Sequence, residues 1–200
     1  MAIPAKTWKG LGAAIAATLA AVFALEGGYV DNPQDPGGVT NHGITQEVAR
    51  NNGYKGNMRE LPRDFAEWVY TKDYVQKPGF DKVLALSPPV GHKLIDVGVN
   101  AGPSRSARWF QESLNSLSRS GTDYPQVTAD GQIGPRTVSA YQALERRRGR
   151  VKAGEMTLKL MDVKQGAHYL SLNMPTFTVG WVDNRIGNVA LGRCSEVVLP

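Results

Sequence analysis

A chain of 200 residues with 42% hydrophobic and 20% charged residues carries enough apolar side chains to bury a core, which excludes an intrinsically disordered protein. Its single cysteine, Cys194, excludes a disulfide within the chain, so that packing alone must hold the fold together. The net charge of +5 arises in residues 101–200, which hold 13 Lys and Arg against 8 Asp and Glu, but no zinc-finger spacing or aromatic RNA-binding pattern accompanies it and nucleic acid is not an expected partner.

The first element is an uncharged segment of fifteen residues, Leu11 to Leu25, preceded by Lys6 and Lys9. A stable transmembrane helix needs about 20 predominantly apolar residues, and the alanines of this segment are only weakly hydrophobic. Two interpretations remain open. The segment either enters a membrane transiently, or forms the buried first helix of a soluble domain, because alanine is the best helix former. The two are compatible, since a released segment would end as the buried helix.

A loop rich in Gly, Pro, Asp, Asn and Thr follows this segment and begins with Glu26. A glutamate at the end of an apolar helix is partly dehydrated, which raises the pKa of its carboxyl group and suits it to act as a general acid. Asp35 lies nine residues further on and is the favoured second carboxylate, with Asp31 as the nearer alternative. Thr40 is a candidate for holding a water molecule.

Helical signals dominate the remainder of the chain. Thr45 predicts an N-cap for a short helix through Arg50 that ends at Asn52–Gly53. Pro62 predicts the next helix, with Phe65, Trp68 and Val69 on one face. Helical spacing predicts two helices joined at Gly102, the second with Ala107, Phe110, Leu114 and Leu117 buried, and one further helix from Gly134–Pro135 with Val138, Tyr141 and Leu144 buried. The fold class is therefore mainly α, with a small β-hairpin or loop region after the first helix.

The densest basic run consists of Arg146, Arg147, Arg148, Arg150 and Lys152. Basic residues at the end of a helix complement its dipole, and this is the favoured interpretation. Contact with an anionic polymer such as a cell wall is the alternative.

Two sets of motifs resemble a known family. The runs E-G-G-Y, D-P-G-G and T-N-x-G-I-T, in this order between Glu26 and Thr45, are similar to the opening of glycoside hydrolase family 108, the phage-type and bacterial N-acetylmuramidases. Three later runs, D-x-G-V-N-x-G-P-x-R-x-A-R, D-G-x-I-G-P-x-T and G-W-x-x-N-R-I, are similar to the predicted peptidoglycan-binding domain that follows these catalytic domains. The resemblance implies a lysozyme-like helical fold with an apolar helix in residues 1–25, a catalytic region in residues 20–88 and a peptidoglycan-binding helical region packed on it in residues 89–195.

The resemblance also implies an activity and a site. The expected reaction is hydrolysis of the β-1,4 bond between N-acetylmuramic acid and N-acetylglucosamine of peptidoglycan, with Glu26 as the general acid. Asp35 and Thr40 would assist Glu26, while the residues expected to contact substrate are Tyr29, Asn41, His42 and Asn100; Trp181 and Arg185 are further candidates to reach the groove. A lytic transglycosylase and a wall-binding protein without activity are the alternatives.

Several further expectations follow from this family. No H-E-x-x-H or similar metal spacing occurs, so we expect no metal and no cofactor. The expected setting is a phage endolysin that is made in the host cytoplasm and acts in the periplasm as a monomer. Residues 11–25 resemble the signal-anchor-release segments that associate transiently with the inner membrane.

Overall fold

The structure is a computed structural model that describes Ile15, Leu19 and residues 28–31 and 38–195. Glu26 and Asp35 lie outside these residues, as does most of the segment from Leu11 to Leu25. Ile15 and Leu19 are helical, and both side chains belong to the hydrophobic core. Their spacing of four residues puts them on one face of a helix, and that face is buried. Within the described part of the chain, no helix has both the length and the apolar character that crossing a membrane requires.

A small antiparallel hairpin precedes the helical body. Strand β1 spans Thr40–Asn41 and strand β2 spans Ile44–Thr45, with Thr40 opposite Thr45 and Asn41 opposite Ile44. Helix α1, Gln46–Asn51, follows directly, and the Thr45 side chain accepts a hydrogen bond from the backbone N–H of Val48. The predicted N-cap and the predicted small hairpin are therefore both confirmed.

The rest of the described chain is mainly helical, which confirms the mainly α fold class. After a 3-10 helix at Met58–Glu60 come α2 (Arg63–Val69), a π-helical segment (Tyr70–Gln76), α3 (Phe80–Leu84), α4 (Pro88–Ala101), α5 (Pro103–Leu117), α6 (Pro135–Arg148), α7 (Arg150–Leu172), α8 (Pro175–Arg185) and a final 3-10 helix at Leu191–Ser195. Proline occupies the first turn of α4, α5, α6 and α8, where its missing N–H costs nothing.

Helix α4 is the centre of the body. Val90, Leu94, Ile95 and Val97 on it are fully buried, and the helix contacts α3, α5 and α7. Gly102 joins α4 to α5 at a φ of 96°, a left-handed value that favours glycine. The predicted helical pair is confirmed at this joint. Of the four residues predicted on the apolar face of α5, Ala107, Phe110 and Leu114 are fully buried, and Leu117 is half-buried against the core.

One predicted helical face is only partly correct. Val69 is fully buried and Phe65 packs against the core, but the Trp68 side chain is 49% exposed. The Lys72 ammonium lies 4.9 Å from the centre of the indole ring. The outward position follows from spacing, because Trp68 precedes the buried Val69 by one residue and therefore points about 100° away from it around the helix.

Candidate active site

The hairpin turn consists of His42 and Gly43. Their φ angles are 51° and 71°, and two successive positive values are typical of the two-residue type I′ hairpin turn. Glycine adopts this conformation at little cost, whereas histidine does so uncommonly. The turn places the His42 side chain at the tip of the hairpin, where it is half-buried.

A third short segment pairs with this hairpin. Val30 forms an antiparallel bridge with Thr40, and each backbone N–H donates to the carbonyl of the other residue at 2.9 Å. The bridge closes the loop between Val30 and Thr40 at its base. It brings the backbone of Tyr29 and Asp31 beside that of Thr40.

The Tyr29 side chain lies between two charged groups. Its hydroxyl donates to the Asp31 carboxylate at 3.1 Å, while the Arg59 guanidinium carbon lies 4.1 Å from the centre of its ring. Desolvation and then the Asp31 carboxylate raise the pKa of Tyr29, against an opposing effect of Arg59. Tyr29 therefore remains a neutral phenol at neutral pH, and its ring presents a flat surface next to a charged pair.

Asn41 holds the hairpin to the rest of the protein. Its side chain is only 5% exposed, and its Nδ2 donates to the carbonyl of Met58 at 2.7 Å and to the carbonyl of Arg59 at 3.3 Å. Strand β1 is thereby tied to the 3-10 helix at Met58–Glu60. This tie positions Arg59 over Tyr29.

Asn100 belongs to a second cluster, which lies at the end of α4. Its Oδ1 accepts a hydrogen bond of 2.6 Å from the Tyr169 hydroxyl, and that hydroxyl accepts one of 2.7 Å from Gln165 Nε2. The Tyr169 ring stacks on Trp181 with ring centres 5.1 Å apart. Asn100 and Trp181, two candidates from distant parts of the sequence, are thus linked through Tyr169.

The aromatic side chains of this cluster form a continuous row. Trp109 contacts His168 edge to face at 5.5 Å, and Phe177 stacks on Trp181 at 5.8 Å. His168 lies between Trp109 and Tyr169, and the Phe177 side chain is 54% exposed. Partly exposed aromatic rings offer the flat apolar faces on which sugar rings can stack.

His168 is held in its neutral form. Its Nε2 lies 3.2 Å from Arg105 Nη1, and because a guanidinium can only donate, Nε2 must accept. Desolvation and the Arg105 charge both lower the pKa of His168. Arg105 also donates to the carbonyl of Ala101 at 2.9 Å, so the pair connects the end of α4 to α7.

Two family models match successive parts of this chain. Residues 19–102 match the family model for glycosyl hydrolase 108, and residues 105–186 match the model for a predicted peptidoglycan domain. The chain carries a glycosyl hydrolase 108 domain followed by a predicted peptidoglycan domain. It is therefore a peptidoglycan hydrolase, and the glycoside hydrolase class and the peptidoglycan partner expected from the sequence are confirmed.

A solved structure supports the same assignment. The structure of Brucella abortus SagA is 28% identical to this chain, covers 94% of it and 99% of its own length, and superimposes with a TM-score of 0.72. A search of curated proteins finds no significant match. The lysozyme-like helical fold expected from the sequence is in agreement with this structure.

The hairpin cluster lies wholly in the glycosyl hydrolase 108 domain, whereas the Asn100 cluster combines both domains. Asn100 lies near the end of the first domain, and Gln165, Tyr169 and Trp181 come from the second. The first domain therefore ends in direct contact with aromatic side chains of the second.

Buried charges also join the two domains. Lys93 of α4 is 1% exposed; its Nζ lies 2.6 Å from Asp162 Oδ1 and donates to the carbonyl of Arg185 at 2.7 Å and to Asn188 Oδ1 at 3.0 Å. Arg185 Nη1 donates to Asp96 Oδ1 at 2.6 Å. Arg185, a candidate to reach the groove, is thus a buried partner of α4.

The basic run is partly structural. Arg147 and Arg148 contact the two oxygens of Asp123 at 3.3 and 2.9 Å, and Arg119 approaches the same carboxylate at 3.8 Å. Asp123 has only 3% of its side chain exposed. These arginines fold a loop against the end of α6, in agreement with the helix-end interpretation.

Some residues of these clusters carried no signal in the sequence. Arg59, Gln165 and Tyr169 fall in no motif and reach the clusters only through the fold. No group of three or more His, Cys, Asp or Glu residues suited to a metal ion occurs among the described residues. Glu26 and Asp35 lie outside them, so the distance between the two carboxylates stays a prediction.

Proposed function

We propose that this peptidoglycan hydrolase is an N-acetylmuramidase that cleaves the β-1,4 bond between N-acetylmuramic acid and N-acetylglucosamine. Glu26 protonates the leaving oxygen, and Asp35 stabilises the positive charge or orients the attacking water, with Asp31 as the alternative. Thr40 holds that water.

The observation that carries this proposal is the bridge between Val30 and Thr40. Glu26 precedes Val30 by four residues, which limits the distance between their Cα atoms to about 14 Å. Asp35 lies in the middle of the loop that the bridge closes. Both carboxylates are therefore tethered by short lengths of chain to the strand pair that carries Asp31 and Thr40, which supports their acting on the same glycosidic bond.

The substrate contacts follow from the two clusters. Tyr29 and His42 contact sugar hydroxyl or acetamido groups beside the hairpin, and Asn41 supports them by holding the hairpin in place. Asn100 acts at the other cluster, where Trp181 and Phe177 provide rings for stacking. The hairpin cluster and the aromatic row then contact different sugars of one glycan strand.

The test is mass spectrometry of the soluble fragments that are released from purified peptidoglycan. The wild-type protein should release fragments with reducing muramic acid ends, and Glu26→Gln should release none while unfolding at the same temperature. Glu47→Gln is the matched control, because Glu47 is an exposed residue of α1 in the same domain. Anhydro ends would establish a transglycosylase instead, and the absence of fragments from the wild type would leave a wall-binding protein.

The setting that we propose is phage-mediated lysis of a bacterial host by a monomeric enzyme. Residues 11–25 bring the enzyme to the periplasm through transient association with the inner membrane and then join the folded domain. The burial of Ile15 and Leu19 supports the second half of this sequence of events.

Export can be measured directly. Residues 1–25 fused to an alkaline phosphatase that is active only in the periplasm should give a signal, and Leu19→Asp in the same fusion should reduce it. An inactive wild-type fusion would contradict the proposed route.

A further inference from the structure

A cavity of about 470 Å³ lies in the peptidoglycan domain, between α6 and the loop segment Tyr124–Val127. It is separate in sequence from both clusters described above. Its α6 side includes Arg136, Ser139, Ala143 and Arg146, whose spacings of three and four residues place them on one stripe of the helix. The small side chains in the middle leave the cavity open, and an arginine stands at each end.

The opposite wall is held rigidly. The carbonyl of Val127 accepts a hydrogen bond from Asn115 Nδ2 at 2.8 Å, and the N–H of Val127 donates to Asn115 Oδ1 at 2.8 Å. The Tyr124 hydroxyl donates to the buried carbonyl of Leu114 at 2.8 Å. The Tyr124 side chain is therefore fixed against α5, and the cavity is formed before any ligand arrives.

Arg136 and Arg146 differ from Arg147 and Arg148 in their side-chain contacts. Arg147 and Arg148 contact Asp123, whereas no side-chain hydrogen bond or ion pair joins Arg136 or Arg146 to another described residue. Both are exposed at the cavity. Their guanidinium groups are thus free to bind carboxylates through paired hydrogen bonds.

The dimensions suit a short extended peptide. Ten residues of α6 separate Arg136 from Arg146, a rise of about 15 Å, and four or five extended residues span that distance. Beyond Arg136 the groove continues into a second cavity of about 390 Å³, and Asp130 is one of the residues that line it. A ligand that carries carboxylates and an ammonium group therefore fits the groove better than a uniform polyanion.

We propose that this groove binds the peptide stem of peptidoglycan, with stem carboxylates on Arg136 and Arg146. The stem is an acidic peptide, and the stems that contain a diamino acid also carry a free ammonium group. This inference rests on the function as a peptidoglycan hydrolase. The groove holds the wall by its peptide part while the glycan strand occupies the active site, which keeps the enzyme on its insoluble substrate between cleavages.

The experiment titrates the full-length protein with a synthetic stem tetrapeptide that contains diaminopimelate. NMR or calorimetry measures the affinity. Arg136→Gln/Arg146→Gln should weaken binding about a hundredfold, since each of the two lost charged hydrogen bonds is worth a factor of about ten. The control Lys152→Gln/Lys159→Gln removes the same charge from exposed positions of α7 and should leave the affinity unchanged. Ser139→Phe retains both arginines but fills the cavity, and should weaken binding as well.

A second readout separates this proposal from the proposed activity. All variants should cleave glycan strands from which the stems have been removed at the wild-type rate, because the groove does not touch the glycan. A wild-type protein that leaves such strands intact would contradict the muramidase proposal alone. The groove proposal is overturned if the tetrapeptide does not bind, if the double arginine variant binds it as the wild type does, or if a tetrapeptide with amidated carboxylates binds equally well.

Discussion

Lys93→Met tests the buried contact between the two domains. The substitution retains most of the side-chain volume but removes the ammonium group, which is 1% exposed and has three oxygen partners. The carbonyl of Arg185 and Asn188 Oδ1 would lose a donor, and the Asp162 carboxylate would lose its counter-ion. Removing one partner of a buried ion pair typically costs about 3–5 kcal/mol of the free energy of unfolding.

A loss of this size is a large part of the total, because domains are stable by only about 5–15 kcal/mol. For a chain of this length it should lower the melting temperature by about 6–20 °C. Urea unfolding, followed by circular dichroism, measures the free energy, and calorimetry measures the temperature. Lys159→Met is the matched control: Lys159 is exposed on α7, and the change should stay within about 0.5 kcal/mol.

The partner variant sharpens the test. The Asp162 side chain is 20% exposed, so Asp162→Asn leaves a neutral group that water can reach. In the double variant Lys93→Met/Asp162→Asn, part of the loss should therefore be recovered, because no unpaired charge remains. A Lys93→Met protein within about 1 kcal/mol of the wild type would refute the view that this contact holds the domains together.

Three further predictions concern the two clusters and His92, a residue of α4. Asn41→Ala should cost about 1–3 kcal/mol in urea unfolding, because two carbonyls of the 3-10 helix lose their buried donor; an unchanged midpoint would contradict the proposed tie. Burial lowers the pKa of His92 and of His168 below 6.5, so the folded state favours their neutral forms. Stability should therefore be full above pH 6.5 and fall as the pH drops below it, and His92→Gln should flatten that dependence in unfolding curves taken across this range. Tyr169→Phe should lower the free energy of unfolding by about 1–2 kcal/mol, since Asn100 and Gln165 lose a shared partner. Calorimetry measures this loss, and an unchanged melting temperature would contradict the prediction.

Local signals in the sequence predicted many of the elements. Thr45 is the N-cap of α1, Gly102 joins α4 to α5, and Gly134–Pro135 begins α6, each at the predicted place. These signals depend on hydrogen bonds and backbone angles within a few residues. The motifs around Glu26 indicated a glycoside hydrolase in a different way, through their resemblance to a known family.

The contacts that build the site depend on distant parts of the chain, and only the tertiary structure decided them. Asn41 reaches the 3-10 helix 17 residues away, and the Tyr169 hydroxyl reaches Asn100 across 69 residues. The sequence alone was compatible with Arg185 either in an exposed groove or in a buried ion pair. The packing of α8 against α4 places it in the buried pair with Asp96. Sequence patterns describe which faces of each helix are apolar, but the partners of buried polar groups are chosen by how the helices pack.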